Sequence, residues 1–162
     1  MSLTPRQLNR ATLARQLLLR RERLSVADAV RRITAVQAQE PGSPYIALWN
    51  RLDGFDPVDL DAAYADRAVV RATLMRMTLH VVHAEDYPPF HNAMTRVLRA
   101  SRLGDSRFTV SGLTIADADA LMPGLLRFAK RPRTGADLEG HLDERSAGAG
   151  RACGGPCARS PH

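Results

Sequence analysis

The chain has 162 residues, which leaves room for one domain and part of a second. Hydrophobic residues make up 44% and charged residues 25%, and no apolar run approaches the roughly 18 residues of a membrane-spanning helix. These values exclude disordered, collagen-like and membrane-spanning chains. The formal net charge is +6, and Lys130 is the only lysine among the 23 basic residues.

The charge is unevenly distributed along the chain. Residues 1–32 contain eight arginines and two acidic residues, whereas residues 53–66 contain five aspartates and no basic residue. Two explanations of the arginine content stay open: a GC-rich coding sequence, and phosphate recognition by the planar guanidinium group. The segregation of charge fits a polyanionic partner better than a small ligand.

Start signals predict four helices in the first 66 residues. Residues 4–7 form a capping box with proline at the first helical position. Ser25 opens a second helix, which we expect to end before Pro41, because proline disfavours helical geometry in the residue that precedes it. A short third helix is predicted over 44–51, and Asp56 caps a fourth.

Residues 68–83 are rich in β-branched and apolar residues and contain neither glycine nor proline. They predict two strands, about 68–74 and 77–83, although the reversal near Met75-Arg76 lacks the residues that favour a tight turn. Three further helices are predicted over 88–103, 114–130 and 134–145.

Several short helices followed by a hairpin are typical of a winged helix-turn-helix, a mainly α fold with a small β-hairpin. In that fold one helix enters the major groove and the hairpin touches the flanking backbone. An unspecified α-rich domain is the alternative.

Gln37-Ala38-Gln39 is the most distinctive local feature of the chain. On a helix the two amides would lie about 200° apart, whereas in an extended segment residues i and i+2 point the same way. Two amides on one side can hold a water through their carbonyl oxygens. The other interpretation is that they cap a helix end or face solvent.

The stretch from Leu13 to Phe90 resembles the AlkZ/YcaQ-like family of bacterial winged-helix DNA glycosylases. The similar segments include Gln37-Ala38-Gln39, which corresponds to a Gln-x-Gln signature of that family, and Arg76-Met77-Thr78-Leu79-His80, which corresponds to an Arg-x-Thr-Leu-His strand. The longer matching segments are LARQLLLRR, SVADAVRRITAVQAQEP, YIALWNRLDGF and VVRATLMRMTLHVVHAEDY.

The resemblance implies tandem winged-helix domains around duplex DNA and the excision of N7-alkylated purines or the unhooking of interstrand crosslinks. It implies that Gln37 and Gln39 position the attacking water. An N7-alkylated purine is cationic and leaves readily, so the reaction needs orientation of water more than a strong acid.

Four residues are candidates for DNA contact. Arg71 and Arg76 would touch phosphates, or would be solvated charges at the sheet edge. Thr78 and His80 belong to the strand that resembles the family, and His80 either faces DNA or packs beside its strand neighbours. No metal site is expected, because the spacing of the histidines fits no standard ligand pattern.

The resemblance divides the chain into a first winged-helix domain over 1–110 and an incomplete second one over 111–145. Residues 146–162 contain both cysteines and no Leu, Ile, Val, Phe or Met, so we expect a disordered or frameshifted tail. Cys153 and Cys157 have the wrong spacing for a redox or zinc pair.

The expected protein is therefore a cytoplasmic, nucleoid-associated monomer that binds double-stranded DNA and needs no cofactor, metal or membrane. The alternatives are a non-catalytic winged-helix module and a truncated, inactive gene product.

Overall fold

The computed structural model describes residues 2–110 and 114–152, and it divides the chain into two compact units, Met1–Ser101 and Arg102–His162. The elements of the first unit, with the helix that leads into the second, are α1 (Pro5–Arg15), α2 (Val26–Ile33), β1 (Val36–Gln37), α3 (Ser43–Trp49), α4 (Pro57–Ala65), β2 (Val69–Thr73), β3 (Leu79–His83) and α5 (Tyr87–Leu103). The second unit continues with α6 (Ser106–Val110), α7 (Ile115–Phe128) and α8 (Gly135–Ala152).

The helix starts predicted at Thr4, Ser25 and Asp56 are confirmed by side-chain caps. The Thr4 side chain accepts a hydrogen bond from the Gln7 amide, and the Gln7 side chain accepts one from the Thr4 amide. Ser25 caps α2 in the same way through the amide of Asp28, and α4 begins with a capping box that Asp56 opens. Each cap satisfies amide groups that the first helical turn leaves without partners.

The three strands form one antiparallel sheet with the order β1-β3-β2. Val36 lies opposite Val81, and on the other side of β3 Val69 lies opposite His83. With β1 between α2 and α3, and with β2 and β3 after α4, the first unit is a winged helix. The predicted fold class is confirmed, and the sheet has one strand more than the predicted hairpin.

The core of the first unit lies between the helices and one face of the sheet. Apolar residues of α2 pack there against β1 and β3, and Leu48 of α3 and Leu60 of α4 close the cluster. The buried members are Leu17, Val26, Ala29, Val30, Ile33, Val36, Ala38, Leu48, Leu52, Leu60, Val69 and Val81. This packing fixes β1 and β3 relative to α2.

The predicted end of the second helix, shortly before Pro41, is wrong. α2 ends at Ile33, because Thr34 adopts φ 80° and ψ −51°, which no helical residue can do. The chain then becomes extended, and Val36 and Gln37 pair with β3 as a third strand.

The hairpin between β2 and β3 turns without glycine or asparagine. Arg76 and Met77 have φ values of 55° and 62°, in the left-handed region that side chains other than glycine adopt at a cost. The Leu74 amide donates to the Thr78 carbonyl at 3.0 Å, and the Met77 amide donates to Leu74 at 3.2 Å. These bonds hold Arg76 exposed at the tip of the hairpin.

In the second unit α7 and α8 pack through a small mixed cluster. The rings of Phe128 and His141 stack with centroids 4.2 Å apart, and the Arg133 guanidinium lies 4.1 Å above the Phe128 ring. The last helix was expected to end near Arg145, but α8 continues to Ala152. The rest of the expected tail, with Cys153 and Cys157, lies outside the described residues.

Candidate functional site

The two glutamines of the Gln-x-Gln motif lie on the same side of an extended segment. Val36 and Ala38 are buried, with 5% and 0% of their surface exposed, whereas Gln37 and Gln39 are exposed. Side chains alternate between the two faces of a strand, so both amides leave the sheet on the face opposite the core. This is the geometry in which the two amides can act together.

The Gln39 side chain is anchored by the main chain of β3. Its Oε1 accepts a hydrogen bond from the Leu79 amide at 3.3 Å, and the neighbouring Ala38 amide donates to the Leu79 carbonyl at 2.7 Å. The side-chain carbonyl of Gln39 thus takes the place of a main-chain carbonyl and extends the hydrogen-bond ladder between β1 and β3 beyond the end of β1. This bond fixes which way the amide faces, because the Leu79 N–H can only donate.

The Gln37 side chain makes no hydrogen bond within residues 2–110 and 114–152, and it lies directly across from His80 in the register. Residues opposite each other in an antiparallel pair have Cβ atoms about 4.5–5.5 Å apart on one face. Gln37 and His80 are therefore neighbours on the face of the sheet opposite the α2 core, where Gln37 is exposed while Val82, two residues after His80, is buried.

One nitrogen of the half-buried His80 ring is engaged by its own strand. Nδ1 lies 3.0 Å from the Thr78 carbonyl oxygen. A carbonyl only accepts, so Nδ1 donates and is turned toward its own strand. Nε2 is thus left for other partners on the face that His80 shares with Gln37.

The remaining predicted site residues lie in different places. Thr78 lies two residues before His80 and therefore on the same face of the strand, and its hydroxyl donates to the Met75 carbonyl at 3.2 Å. Arg76 lies at the hairpin tip. Arg71 lies opposite the buried Val81, so it leaves the sheet on the core side. There it approaches Tyr64, whose pKa is raised by burial and lowered in part by the Arg71 charge. The structure thus brings together Gln37, Gln39, Thr78 and His80 and separates Arg71 from them.

The sequence analysis missed the partner that orients Gln39, which is a main-chain amide and has no residue signature. The signal that could have revealed the strand is the alternation of apolar and polar residues in Val36-Gln37-Ala38-Gln39.

Helix α4 occupies the position of the recognition helix in a winged helix, yet its exposed charges are negative. Asp59 and Asp61 are exposed on the helix, and Asp56 and Asp66 flank it. A duplex presents about one phosphate charge per 1.7 Å of axis, so this helix would be repelled from a groove. Helix α4 is therefore poorly suited to bind a polyanion.

Within the described ranges no three His, Cys, Asp or Glu side chains are grouped so that they could hold a metal ion. No described helix is both long and apolar enough to cross a membrane.

Residues 30–160 match the DNA glycosylase AlkZ-like family. The chain belongs to this family. Among solved structures it is similar to the Streptomyces sahachiroi DNA glycosylase AlkZ, with 24% sequence identity and a TM-score of 0.76. The match covers 88% of this chain and 38% of that one, so the chain spans well under half the length of the AlkZ structure. The search of curated proteins returned no match.

Proposed function

We propose that this AlkZ-like chain carries the reacting face of a DNA glycosylase, which hydrolyses the N-glycosidic bond of N7-alkylated purines in duplex DNA or unhooks interstrand crosslinks. The observation that carries the proposal is the placement of Gln37 and Gln39 on one face of β1, with His80 beside them. Membership in a DNA glycosylase family supports it.

In the proposed reaction the Gln37 carbonyl accepts a hydrogen bond from a water and turns its oxygen toward C1′ of the damaged nucleotide. Gln39, held by the Leu79 amide, completes the seat of that water. The water oxygen bonds to C1′, and the bond from C1′ to the purine breaks with its electron pair going to the base. The cationic base thereby leaves neutral. The attacking water loses a proton to solvent as its oxygen bonds to C1′, which leaves a hydroxyl on the sugar.

Neutral amides suit this substrate because the alkylated base already is a good leaving group. The enzyme then gains most from holding the water in line with the scissile bond, and misplacement by about 1 Å can cost 100-fold in rate. The main-chain bond of Gln39 supplies that rigidity on the enzyme side.

We propose that Arg76 contacts a phosphate from the hairpin tip, with Thr78 and His80 along the adjacent strand, and that Arg71 contacts a more distant phosphate. The acidic α4 is kept away from the duplex in this arrangement. The protein would act as a monomer in the cytoplasm, at the nucleoid.

We further propose that residues after 110 begin a second winged-helix unit. Helix α7 exposes Ile115, Met122 and Leu126, which recur at intervals that place them on one side of the helix. A helix with such an exposed apolar side is suited to pack within a larger unit.

The test is base release from a duplex that contains 7-methylguanine, measured by chromatography with the chain in excess of DNA. We expect free 7-methylguanine and an abasic strand, and no release from the unmodified duplex. Duplex binding without release at saturating chain would contradict the proposal and favour a non-catalytic winged-helix module.

A further inference from the structure

A cleft separate from the glutamine face is lined by two arginines from different helices. Arg15 comes from the last turn of α1 and Arg32 from the last turn of α2, and Gln16 and Thr34 complete the wall. The cleft has a volume of about 340 Å³ and opens to solvent. Arg15 and Arg32 are both exposed, so their guanidinium groups are accessible to a ligand.

The two arginines share this cleft, whose wall contains no carboxylate among the described residues. Within the described part of the chain neither forms an ion pair, whereas neighbouring arginines do. Arg31 binds Glu85 at 2.9 Å, and Arg23 binds Asp53 at 3.0 Å. Like charges in one cleft repel each other, and an anion between them removes that repulsion. Guanidinium groups match the geometry of phosphate oxygens.

The cleft is close to the glutamine face along the chain. Thr34, in its wall, is three residues before Gln37, and three extended residues span at most about 11 Å. This bound applies to the main chain, and the arginine side chains add several ångströms of reach, so a phosphate in the cleft would lie within a few nucleotides of one at Gln37.

We propose that Arg15 and Arg32 form a clamp for one phosphodiester group of the DNA strand, near the damaged nucleotide. The proposal rests on the proposed function, to which it adds an anchoring site that lies outside the sheet and the hairpin. The Thr34 hydroxyl, which makes no hydrogen bond within the described residues, is available as a further donor in the cleft.

The test is the affinity of the chain for a fluorescently labelled duplex, measured over a series of salt concentrations. Arg15→Gln and Arg32→Gln are each expected to weaken binding about tenfold, the loss of one charge-assisted bond. Because the two arginines share one phosphate, the double variant should reduce the slope of log affinity against log salt by about 0.9, and each single variant by less.

Arg10→Gln is the matched control, because it removes the same charge from the same helix. Arg10 is exposed, does not line the cleft and lies about 140° around α1 from Arg15. We expect it to change the affinity less than twofold and to leave the salt slope unchanged.

Arginines at helix ends also interact favourably with the helix dipole, so the thermal midpoint of each variant is measured as well. Wild-type affinity and salt slope in both arginine variants would overturn the clamp, whether or not the thermal midpoint falls. An equal loss of affinity in Arg10→Gln would also overturn it. Failure of the wild-type chain to bind any duplex would instead reject the proposed function on which the clamp rests.

Discussion

At the scale of single residues, Thr34 decides where the motif begins. Its φ of 80° and ψ of −51° belong to a region that is rare and strained for a β-branched residue. The strain is sustained because Ile33 before it and Val36 after it are both buried. The kink at Thr34 ends α2. It also determines which residues of the following strand face the core, so that Val36 faces the core and Gln37 faces away from it.

Thr34→Gly should therefore stabilise the fold. Strain of this kind costs roughly 1–3 kcal/mol, and glycine loses about 0.5–1 kcal/mol through the entropy of the unfolded chain, so the expected net gain in unfolding free energy is about 1 kcal/mol. Urea denaturation measures it. Ala35→Gly is the control and should destabilise by up to about 1 kcal/mol, since Ala35 is not among the residues with positive φ. If Thr34→Gly and Ala35→Gly lowered the unfolding free energy by equal amounts, the backbone strain at Thr34 would be contradicted.

The residues around Gln37 also show the limit of sequence prediction. Val36 follows Ile33 by three positions, which continues the apolar stripe of α2 as well as it begins a strand. The choice is made by β3, more than 40 positions away, which pairs with Val36 and Gln37. The local sequence pattern carries no information about this distant pairing. It therefore could not decide whether Gln37-Ala38-Gln39 is helical or extended.

At the scale of elements, α3 and α4 are joined by a single polar contact at their surface. The Tyr45 hydroxyl donates to the Asp61 carboxylate at 2.6 Å. This bond, together with desolvation and the Asp61 charge, raises the pKa of Tyr45 above its ordinary value of 10.0. The contact holds the acidic helix against the half of the core that Leu48 and Leu60 form.

Tyr45→Phe should lower the unfolding free energy by about 1 kcal/mol near neutral pH, because the contact lies at the surface. A raised folded-state pKa contributes stability that is complete below pH 10 and is lost as the pH rises further. The wild type should therefore lose stability above pH 10 more steeply than the variant does. Urea denaturation over this pH range measures both slopes, and parallel curves would contradict the contact.

Several helix starts were predictable because capping residues act within one turn, whereas β1 and α6 were not predicted. Thr4, Ser25, Asp56 and Thr114 each bind an amide two or three residues onward, and each marks its helix correctly. Facing directions were less predictable. Arg71 and His80 occur close together in one hairpin, yet the register places them on opposite faces of the sheet.

At the scale of the whole molecule, the separation of charge gains a structural meaning. The aspartates of residues 53–66 surround α4, whereas exposed arginines, Arg15 and Arg32 among them, lie on α1 and α2, and Arg76 lies at the hairpin tip. A winged helix with this arrangement is unsuited to reading the major groove with its third helix. The proposed DNA contact through the glutamine face and these arginines would use the positive part of the surface.

We propose that the Gln37 and Gln39 amides orient the attacking water. The most direct measurement is the single-turnover rate of 7-methylguanine release by Gln37→Ala and Gln39→Ala, with each variant saturating the duplex. Asn50→Ala is the control, since it removes an exposed amide that bonds only within α3's own turn, to Ile46. We predict a loss of about 100-fold or more for either glutamine variant, with duplex affinity nearly unchanged and the Asn50 variant at the wild-type rate. Release at the wild-type rate by both glutamine variants would contradict the account.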